Sequence, residues 1–461
     1  MPVSSLQINF APQQKTRPQL VKLAPELPDI SYIEAPHEFV RYSLRLTRHD
    51  THCVPLAYCS QHLTNQSTAL LHLLLTSLHR YSQRGKKRLV CGLRESLRHL
   101  RAGRVRLLVM AVDVEWSVDW REMLAEAHRL SVPVVFGLNK LQLSALLGRP
   151  GLQSVVAIIN PDGAYQTYQE LVAFSLDATR IWQNAATDVF IQEIKEGRGD
   201  MLHVLAYHGH LQVMQKARES EPEKFAKIIA YVSSSSGSSP ILYACGGGQP
   251  RVVEFLIENK ADLSSRDFAM RTCLHHSALS SSVECVQLIM DRCDASMWML
   301  RDSCGHDVLH SAIMAGSEKV VEAVLRSGIK PALDHILLEL SRSPPGLNTF
   351  KLLISHSDPP PDDYHQLIFA CVKAGSLDCL RSLTSWFQGA KVSKDRLSML
   401  INDHSQDGRS ALWWAAYLGN IGIARELIAH GGDTSFTFNP HSEPVSVDSL
   451  LEKWKRTARN E

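Results

Sequence analysis

A short motif recurs along the second half of the chain at intervals of slightly more than thirty residues. Each copy opens on an apolar pair or a Leu-His pair, continues to a small Ala, and is followed by a Gly. The step from Leu242 to Leu274 is 32 residues, and the step from Leu274 to Leu309 is 35. Repeats of this length bury their cores only against their neighbours, so the pattern predicts an all-α repeat solenoid over residues 198–435.

The motif resembles the ankyrin repeat, which has a T-P-L-H-like opening, an Ala where paired helices touch, and a Gly after a helix. Thr272-Cys273-Leu274-His275 is one such opening. Five or six copies are recognisable and one, around residues 334–356, is eroded; residues 233–239 are expected to be a flexible insertion. The resemblance implies an array that binds a protein ligand, whose identity is unknown. Because histidines at the opening normally form hydrogen bonds within the turn, metal or catalytic roles are not favoured for His203, His275 and His310.

Apolar runs typical of buried strands alternate with helical segments upstream of the repeats. The strands are predicted at residues 105–112, 132–138 and 154–159, and helices at residues 70–78, 120–130, 141–147 and 164–183. This order predicts an α/β three-layer sandwich over residues 58–190, with a helical extension at its N-terminus and helices on both faces of the sheet. Residues 1–57, rich in Pro, are expected to form an extended leader, and residues 436–461 a C-terminal tail.

The stretch from Arg88 to Arg101 concentrates the charge of this first domain. A helix opening after Gly92 places Leu93, Leu97 and Leu100 on one face and Arg94, Arg98 and Arg101 on a neighbouring face beside Glu95. The formal net charge of the chain is only +2, yet ten basic residues and one acid lie between His79 and Arg106. A local basic patch of this kind is the electrostatic footprint expected for nucleic acid, although a solvated helix face has the same composition.

Residues 58–183 resemble the kink-turn-binding superfamily of ribosomal and small nucleolar RNA proteins, and within it the branch that reads SECIS elements in selenoprotein messenger RNAs. The superfamily motif G-x-N-E-x-x-K falls on Gly92-Leu93-Arg94-Glu95-Ser96-Leu97-Arg98, and Arg in place of Asn is similar to the SECIS-binding branch. Further matches are Tyr58–Thr64, Leu78–Arg84, Val135–Lys140 and Ser154–Ile158. One departure is Ser144-Ala145, which stands where the family has Gly-Arg, so one expected RNA contact is missing.

The resemblance implies an RNA-binding domain, with a loop at residues 149–153 placed over the extruded nucleotide of the kink. For any individual side chain of that loop, a plain connecting role is an equal alternative. In the motif helix and the later loops, the expected RNA-binding residues are Gly92, Leu93, Arg94, Glu95, Arg98, Arg101, Asn139, Lys140, Gly151 and Leu152. In the preceding basic run they are Arg80, Arg84, Lys86, Lys87 and Arg88. For Arg80 and Arg84, local packing is an equal alternative. For Glu95 the alternative is an intrahelical salt bridge with Arg98 or His99, contributing only about 0.2–0.5 kcal/mol.

Enzymatic function is not expected, because the sequence lacks a phosphate-binding G-x-x-x-x-G-K motif and a nucleophile elbow. Gly246-Gly247-Gly248 is interpreted as a loop between repeat helices. No cofactor is expected, and ten cysteines without a C-x-x-C pair indicate reduced thiols rather than a zinc site. Without a signal peptide or a membrane-spanning run, a soluble protein is expected in the cytoplasm, with access to the nucleus left open.

The sequence therefore predicts an RNA-binding adaptor that recognises a kink-turn in a SECIS element and supports selenocysteine incorporation. By resemblance, its partners include the selenocysteine-specific elongation factor and the ribosome, together with the ligand of the ankyrin array. Two alternatives stay open at this point. One is a kink-turn binder of small nucleolar ribonucleoprotein or ribosome assembly, and the other is an ankyrin scaffold without RNA binding.

Overall fold

The structure is a computed structural model that describes His37 and residues 65–83, 87–111, 118–342, 344–357, 365–389, 393–405, 408–438 and 445–452. The expected leader lies outside the described residues apart from His37, as do Arg84, Lys86 and parts of the tail. The chain divides into two compact units, Met1–Val189 and Phe190–Glu461.

The first unit is built on a four-stranded sheet in the order β1-β4-β2-β3. Its strands are β1 (Leu89–Cys91), β2 (Leu107–Met110), β3 (Val134–Phe136) and β4 (Val155–Ile158). Strand β4 pairs antiparallel with both β1 and β2, whereas β2 and β3 are parallel. The three apolar runs predicted as strands are thus present, and β1 is a further strand that the sequence analysis did not predict.

In the part of the first unit that the structure describes, five helices surround this sheet. They are α1 (Asn65–Ser82), α2 (Leu93–Arg101), α3 (Val118–Arg129), α4 (Lys140–Leu146) and α5 (Tyr165–Lys195). Helix α2 packs on α3, and α1 packs on α4. Every residue of β2 and β4 is buried, which requires cover on both faces of the sheet. The predicted three-layer α/β sandwich is confirmed.

The second unit consists of stacked helix pairs. The pairs are α6 (Asp200–His208) with α7 (Leu211–Ser220), α9 (Pro240–Gly247) with α10 (Pro250–Glu258), α11 (Cys273–Leu279) with α12 (Val283–Met290), α14 (Val308–Ala315) with α15 (Glu318–Arg326), α16 (Leu333–Ser341) with α17 (Leu347–His356), α18 (His365–Ala374) with α19 (Leu377–Gly389), and α21 (Ala411–Tyr417) with α22 (Ile421–Ala429). First helices stack on first helices, and second on second, along the whole array. The remaining elements are α8 (Pro222–Ile228), α13 (Ala295–Trp298), α20 (Lys394–Asn402), β5 (Thr437–Phe438) and β6 (Val445–Ser446).

The repeat-opening histidines form the hydrogen bonds expected of them. Thr272 N donates to His275 Nδ1 at 3.3 Å, and His275 Nε2 lies 3.1 Å from the carbonyl oxygen of His306 in the next repeat. The repeat that looked eroded keeps the same arrangement, because Ala332 N donates to His335 Nδ1 at 3.0 Å. A histidine at this position therefore closes the turn of its own repeat, and His275 also reaches the next repeat.

The expected flexible insertion at residues 233–239 is instead a hydrogen-bonded turn. Gly237 N donates to the Ser233 carbonyl oxygen at 2.8 Å, and Ser233 N donates to that of Ser238 at 3.0 Å. Ser238 and Ser239 are buried, which a mobile loop would not allow. The Ser-rich composition suggested a linker, but the turn is fixed by its place between two packed helices.

Candidate nucleic-acid interface

Gly92 forms the junction between β1 and α2. Its φ is 93° and its ψ is 149°, a conformation that is strained for any residue with a Cβ. Gly92 N donates to the Val155 carbonyl oxygen at 3.1 Å, and the Gly92 carbonyl oxygen accepts from Ser96 N at 3.0 Å. The helix thus begins where the sequence predicted, without a side-chain cap on its first N–H groups. Unfilled N–H groups and the helix dipole together favour an anion at this end.

Helix α2 is amphipathic in the way the sequence predicted. Ser96, Leu97 and Leu100 are buried, and Leu93 is partly buried and packs against the core. Arg94, Glu95 and Arg98 are exposed on the other side. The helix therefore presents a charged surface that starts at its N-terminus.

Strand pairing brings three separate segments to one edge of the sheet. Cys91 pairs with Val156, while Met110 pairs with Val155 on one side and Phe136 on the other. The ends of β1, β2 and β3 therefore lie beside the start of β4. We call this the Gly92 edge, formed by residues 92–95, 139–142 and 149–153.

Asn139 and Lys140 form the second segment of the Gly92 edge. Asn139 caps α4, because its Oδ1 accepts from Gln142 N at 2.7 Å and its own N–H donates to Gln142 Oε1 at 2.9 Å. The Lys140 carbonyl oxygen accepts from Gln153 N at 3.3 Å. These bonds fix the start of α4 against the third segment and leave Asn139 Nδ2 as the amide atom outside the capping box.

The third segment, the loop at residues 149–153, is held in place by hydrogen bonding to Ser144. The carbonyl oxygens of Arg149, at 3.1 Å, and of Gly151 both lie within hydrogen-bonding distance of the Ser144 hydroxyl, which shares its one O–H between them. Gly151 has a φ of 94°, and the next side chain, Leu152, is 57% exposed. In the sequence, Ser144 indicated only a lost RNA contact. A small hydroxyl five residues before a loop carries no recognisable signal of such a role.

The charges of α2 are partly engaged in ion pairs. Arg98 Nη2 lies 3.0 Å from both carboxylate oxygens of Glu95, which is the alternative the sequence analysis weighed for this residue. Arg101 is paired with Glu122 on α3. Arg94 makes no ion pair with any residue that the structure describes. Beside the helix start, burial raises the pKa of the Cys91 thiol against the opposing charges of Arg149 and Lys87.

Other candidate residues lie toward the opposite edge of the sheet. Leu89 pairs with Ile158, so Lys87 and Arg88 precede β1 at the far end from Gly92. Arg88 stacks 5.5 Å from the centre of the Tyr81 ring and donates to the Asp162 carbonyl oxygen. Arg80 is exposed in the last turn of α1. The basic candidate residues therefore form two groups, one at the Gly92 edge and one toward the opposite edge of the sheet.

Two known families match the two units of the chain. The ribosomal protein L7Ae/L30e/S12e/Gadd45 family matches residues 77–167, and the ankyrin repeat matches residues 236–268 and 407–437. The chain therefore carries an L7Ae-family domain followed by ankyrin repeats, which confirms the resemblance found in the sequence. Both are families of non-enzymatic binding domains.

Among curated proteins, the chain is similar to selenocysteine insertion sequence-binding protein 2 of Rattus norvegicus, with 27% identity over 143 residues that cover 27% of this chain and 17% of that protein. It is also similar to the selenocysteine insertion sequence-binding protein 2-like protein of Homo sapiens, with 24% identity over 170 residues that cover 33% of this chain and 15% of that protein. The similarity thus spans a small part of each relative. Among solved structures, the human ASB11 ankyrin repeat domain matches 50% of this chain and 98% of its own length, with 18% identity and a TM-score of 0.40.

No helix in the described part of the chain combines the length and the apolar character that a membrane span requires.

Proposed function

We propose that the L7Ae-family domain binds a kink-turn RNA at the Gly92 edge. The observation that carries this proposal is the convergence of an uncapped helix N-terminus, the exposed Arg94 and Glu95, and the loop at residues 149–153. All three lie within a domain whose family match covers them. A kink-turn offers crowded phosphates and the edges of sheared G·A pairs, which suit these groups.

The roles of the side chains follow from their chemistry. Glu95 accepts from guanine N–H donors, and Arg94 forks onto an acceptor edge or a phosphate. Gly92 allows the RNA backbone to approach the free N–H groups of α2. The exposed Leu152 provides an apolar surface for a base that is turned out of the stack.

The Glu95–Arg98 ion pair is compatible with this role. The side chains are 46% and 71% exposed, and an exposed pair contributes only about 0–1 kcal/mol, so RNA can replace it at little cost. Arg98 is then released to contact a phosphate. Arg101, at the far end of α2 and bound to Glu122, contributes mainly long-range charge.

The RNA that we propose is a SECIS element, with a role in selenocysteine incorporation alongside the selenocysteine-specific elongation factor and the ribosome. The similarity to proteins named for binding the selenocysteine insertion sequence supports this choice, over the 17% of their length that the chain matches. We propose that the ankyrin repeats recruit a protein, which makes the chain an RNA-binding adaptor.

The test is a gel-shift titration of the full chain, at fixed salt, against a kink-turn RNA with tandem G·A pairs and against a linear duplex. Arg94→Ala should weaken kink-turn binding by about 5- to 150-fold, since a good bidentate contact contributes about 1–3 kcal/mol. Glu95→Gln should weaken it in the same direction. Arg104→Ala removes the same charge from an exposed residue outside the Gly92 edge and should have little effect.

Equal affinity of the parent and the Arg94→Ala and Glu95→Gln variants would contradict the proposed interface. Equal affinity of the parent for the kink-turn and the linear duplex would favour a scaffold without specific RNA binding. Crosslinking in cells and sequencing of the bound RNA separates the two RNA classes. Recovery of selenoprotein messenger RNAs would support the SECIS assignment. Recovery of small nucleolar or ribosomal RNA instead would assign the chain to ribonucleoprotein or ribosome assembly.

A further inference from the structure

Three side chains with metal-binding atoms project from one tight turn of the ankyrin array. The turn is Asp302-Ser303-Cys304-Gly305-His306, which connects to α14. A carboxylate oxygen of Asp302, Cys304 Sγ and a ring nitrogen of His306 lie within 4.8 Å of one another. Carboxylate, thiolate and imidazole are the three ligand types that Zn²⁺ accepts in proteins.

The backbone of this turn is hydrogen-bonded throughout. Asp302 N donates to the His306 carbonyl oxygen at 2.8 Å, and Gly305 N donates to that of Asp302 at 3.0 Å. Asp302 Oδ1 accepts from the N–H groups of Cys304 and His306, at 2.8 and 2.9 Å. Ser303 N is bonded to the Ala269 carbonyl oxygen of the preceding repeat at 2.9 Å. The three ligand side chains are therefore held on a preformed scaffold.

The preceding repeat contains the same turn with different side chains, which makes it an internal control. Asp267 N donates to the Arg271 carbonyl oxygen at 3.1 Å, and Asp267 Oδ1 accepts from Arg271 N at 2.8 Å. The second carboxylate oxygen of Asp267 is fully engaged, with Arg271 Nε at 2.8 Å and His276 Nε2 at 3.0 Å. That turn is closed by an internal ion pair.

In the Asp302 turn, Asp302 and His306 occupy the positions of Asp267 and Arg271 but their side chains are not joined by a hydrogen bond. Asp302 Oδ2 faces His306 Nδ1 at 3.8 Å, which is too far for a hydrogen bond. Zn²⁺ binds imidazole nitrogen and carboxylate oxygen at about 2.0–2.2 Å, so two ligands of one ion lie roughly 3–4 Å apart. Position 304, an Ala in the preceding turn, is an exposed Cys. The two changes together replace a hydrogen-bonded arginine–carboxylate pair by a longer histidine–carboxylate contact with a thiol beside it.

A neighbouring cluster of Asp307, His310 and His335 also has its ligand atoms within 4.8 Å. Its carboxylate already accepts from Leu309 N at 2.9 Å, from His310 N at 3.1 Å and lies 3.0 Å from His335 Nε2. Because these bonds cap α14 and link two repeats, this cluster is accounted for by the structure of the array. The open arrangement is that of the Asp302 turn.

We propose that the turn at residues 302–306 is a zinc site, with Asp302, Cys304 and His306 as ligands and water in the fourth position. Binding forms a Zn–S bond and releases the Cys304 thiol proton to solvent. Three protein ligands on an exposed turn leave one coordination position open to a ligand atom from a partner.

The test uses the untagged, reduced full-length protein titrated with Co²⁺, whose spectrum reports thiolate coordination directly. The parent should bind one equivalent with a thiolate-to-cobalt charge-transfer band, and Cys304→Ser should lose that band.

His306→Arg reproduces the ion-paired turn of the preceding repeat and should lower the affinity for Zn²⁺ by at least about tenfold, since even outer partners of a metal site contribute that much. Asp302→Asn keeps the Oδ1 bonds of the turn and removes only the charge, so a loss of affinity there would not reflect unfolding.

Cys293→Ser is the matched control, because Cys293 is only partly exposed and lies outside the cluster; it should keep the band. An identical charge-transfer band and stoichiometry in the parent and in Cys304→Ser would overturn the site. Equal Zn²⁺ affinity in the parent and in His306→Arg would also overturn the site, whether both proteins bind zinc tightly or neither binds it.

Discussion

The Gly92 edge and the repeat-opening positions of the ankyrin array use polar side chains in opposite ways. In the array, His275 is fully buried, and each ring nitrogen lies within hydrogen-bonding distance of a backbone group in its own or the next repeat. At the Gly92 edge, Arg94 and Glu95 are exposed, and the first N–H groups of α2 have no side-chain cap. One set of polar groups is used to hold the structure together, and the other remains available to a partner.

The contrast shows how a structural polar residue can be distinguished in a sequence from one that binds a partner. A polar residue that recurs at the same place in successive repeats is needed for packing, since each copy meets the same neighbours. A polar residue that appears once, where strands end, is a better candidate for binding. In the turn at residues 302–306, the aspartate recurs and keeps its structural Oδ1 bonds, whereas Cys304 and His306 differ from the residues of the preceding turn and are the candidates for binding.

Gly247→Ala should break the array most severely. An added Cβ would lie 2.0 Å from the backbone carbonyl oxygen of Tyr207, so α6 and α9 could not keep their contact. We expect a loss of more than about 3 kcal/mol in unfolding free energy, above the usual cost of overpacking, measured by urea unfolding of the full chain. The control is Gly246→Ala, whose Cβ would approach nothing closer than His276 Nδ1 at 3.5 Å and which should be neutral or stabilising. Similar unfolding curves for the two variants would show that the stacking of α6 on α9 is misplaced.

His275→Ala should test the structural use of polar groups in the array. It leaves Thr272 N–H and the His306 carbonyl without their bonds to the buried ring, at a cost of about 1–3 kcal/mol in unfolding free energy. Kink-turn RNA affinity should not change, because the Gly92 edge belongs to the other unit. His356→Ala, at an exposed residue bonded to its own helix, should stay within about 0.5 kcal/mol of the parent. A large loss of RNA affinity in His275→Ala would mean that the two kinds of polar residue are not separate in function.

Ser144→Ala should affect RNA binding at the Gly92 edge, with a smaller effect on stability. Loss of its bonds to Arg149 and Gly151 should cost about 0.5–1.5 kcal/mol and free the loop at residues 149–153, which weakens kink-turn binding in a gel shift. Ser175→Ala is the control, since that buried hydroxyl has no partner among the described residues. Unchanged RNA affinity in Ser144→Ala would exclude this loop from the interface.

Much of the fold could be predicted because strong patterns carry it. The apolar runs of β2, β3 and β4 and the amphipathic α2 follow directly from hydrophobic periodicity, and the repeat spacing indicates the array. Strand β1 could not be predicted, because its three residues, Leu89–Cys91, are too short to form a pattern and become a strand only by pairing with β4. Gly246 and Gly247 suggested a loop, yet both lie in the last turn of α9, where packing against α6 requires a small residue.

The motif of the candidate site could be predicted from the sequence, but how far the site extends could not. Gly92, Arg94 and Glu95 are local to one helix start, so the sequence could place them together. The separation of Arg88 from Gly92 depends on Leu89–Cys91 forming a strand, which they do only by pairing with β4. The support that Ser144 gives to the loop depends in the same way on tertiary contacts.

The most direct test of the proposed interface is hydrogen–deuterium exchange of the full chain with and without kink-turn RNA. We expect slower exchange at residues 93–95, 139–142 and 149–153, because these backbone N–H groups lie at the Gly92 edge. We expect no change at residues 87–88, toward the opposite edge, or in the ankyrin helices. Protection confined to the ankyrin helices or to the opposite edge would contradict RNA binding at the Gly92 edge.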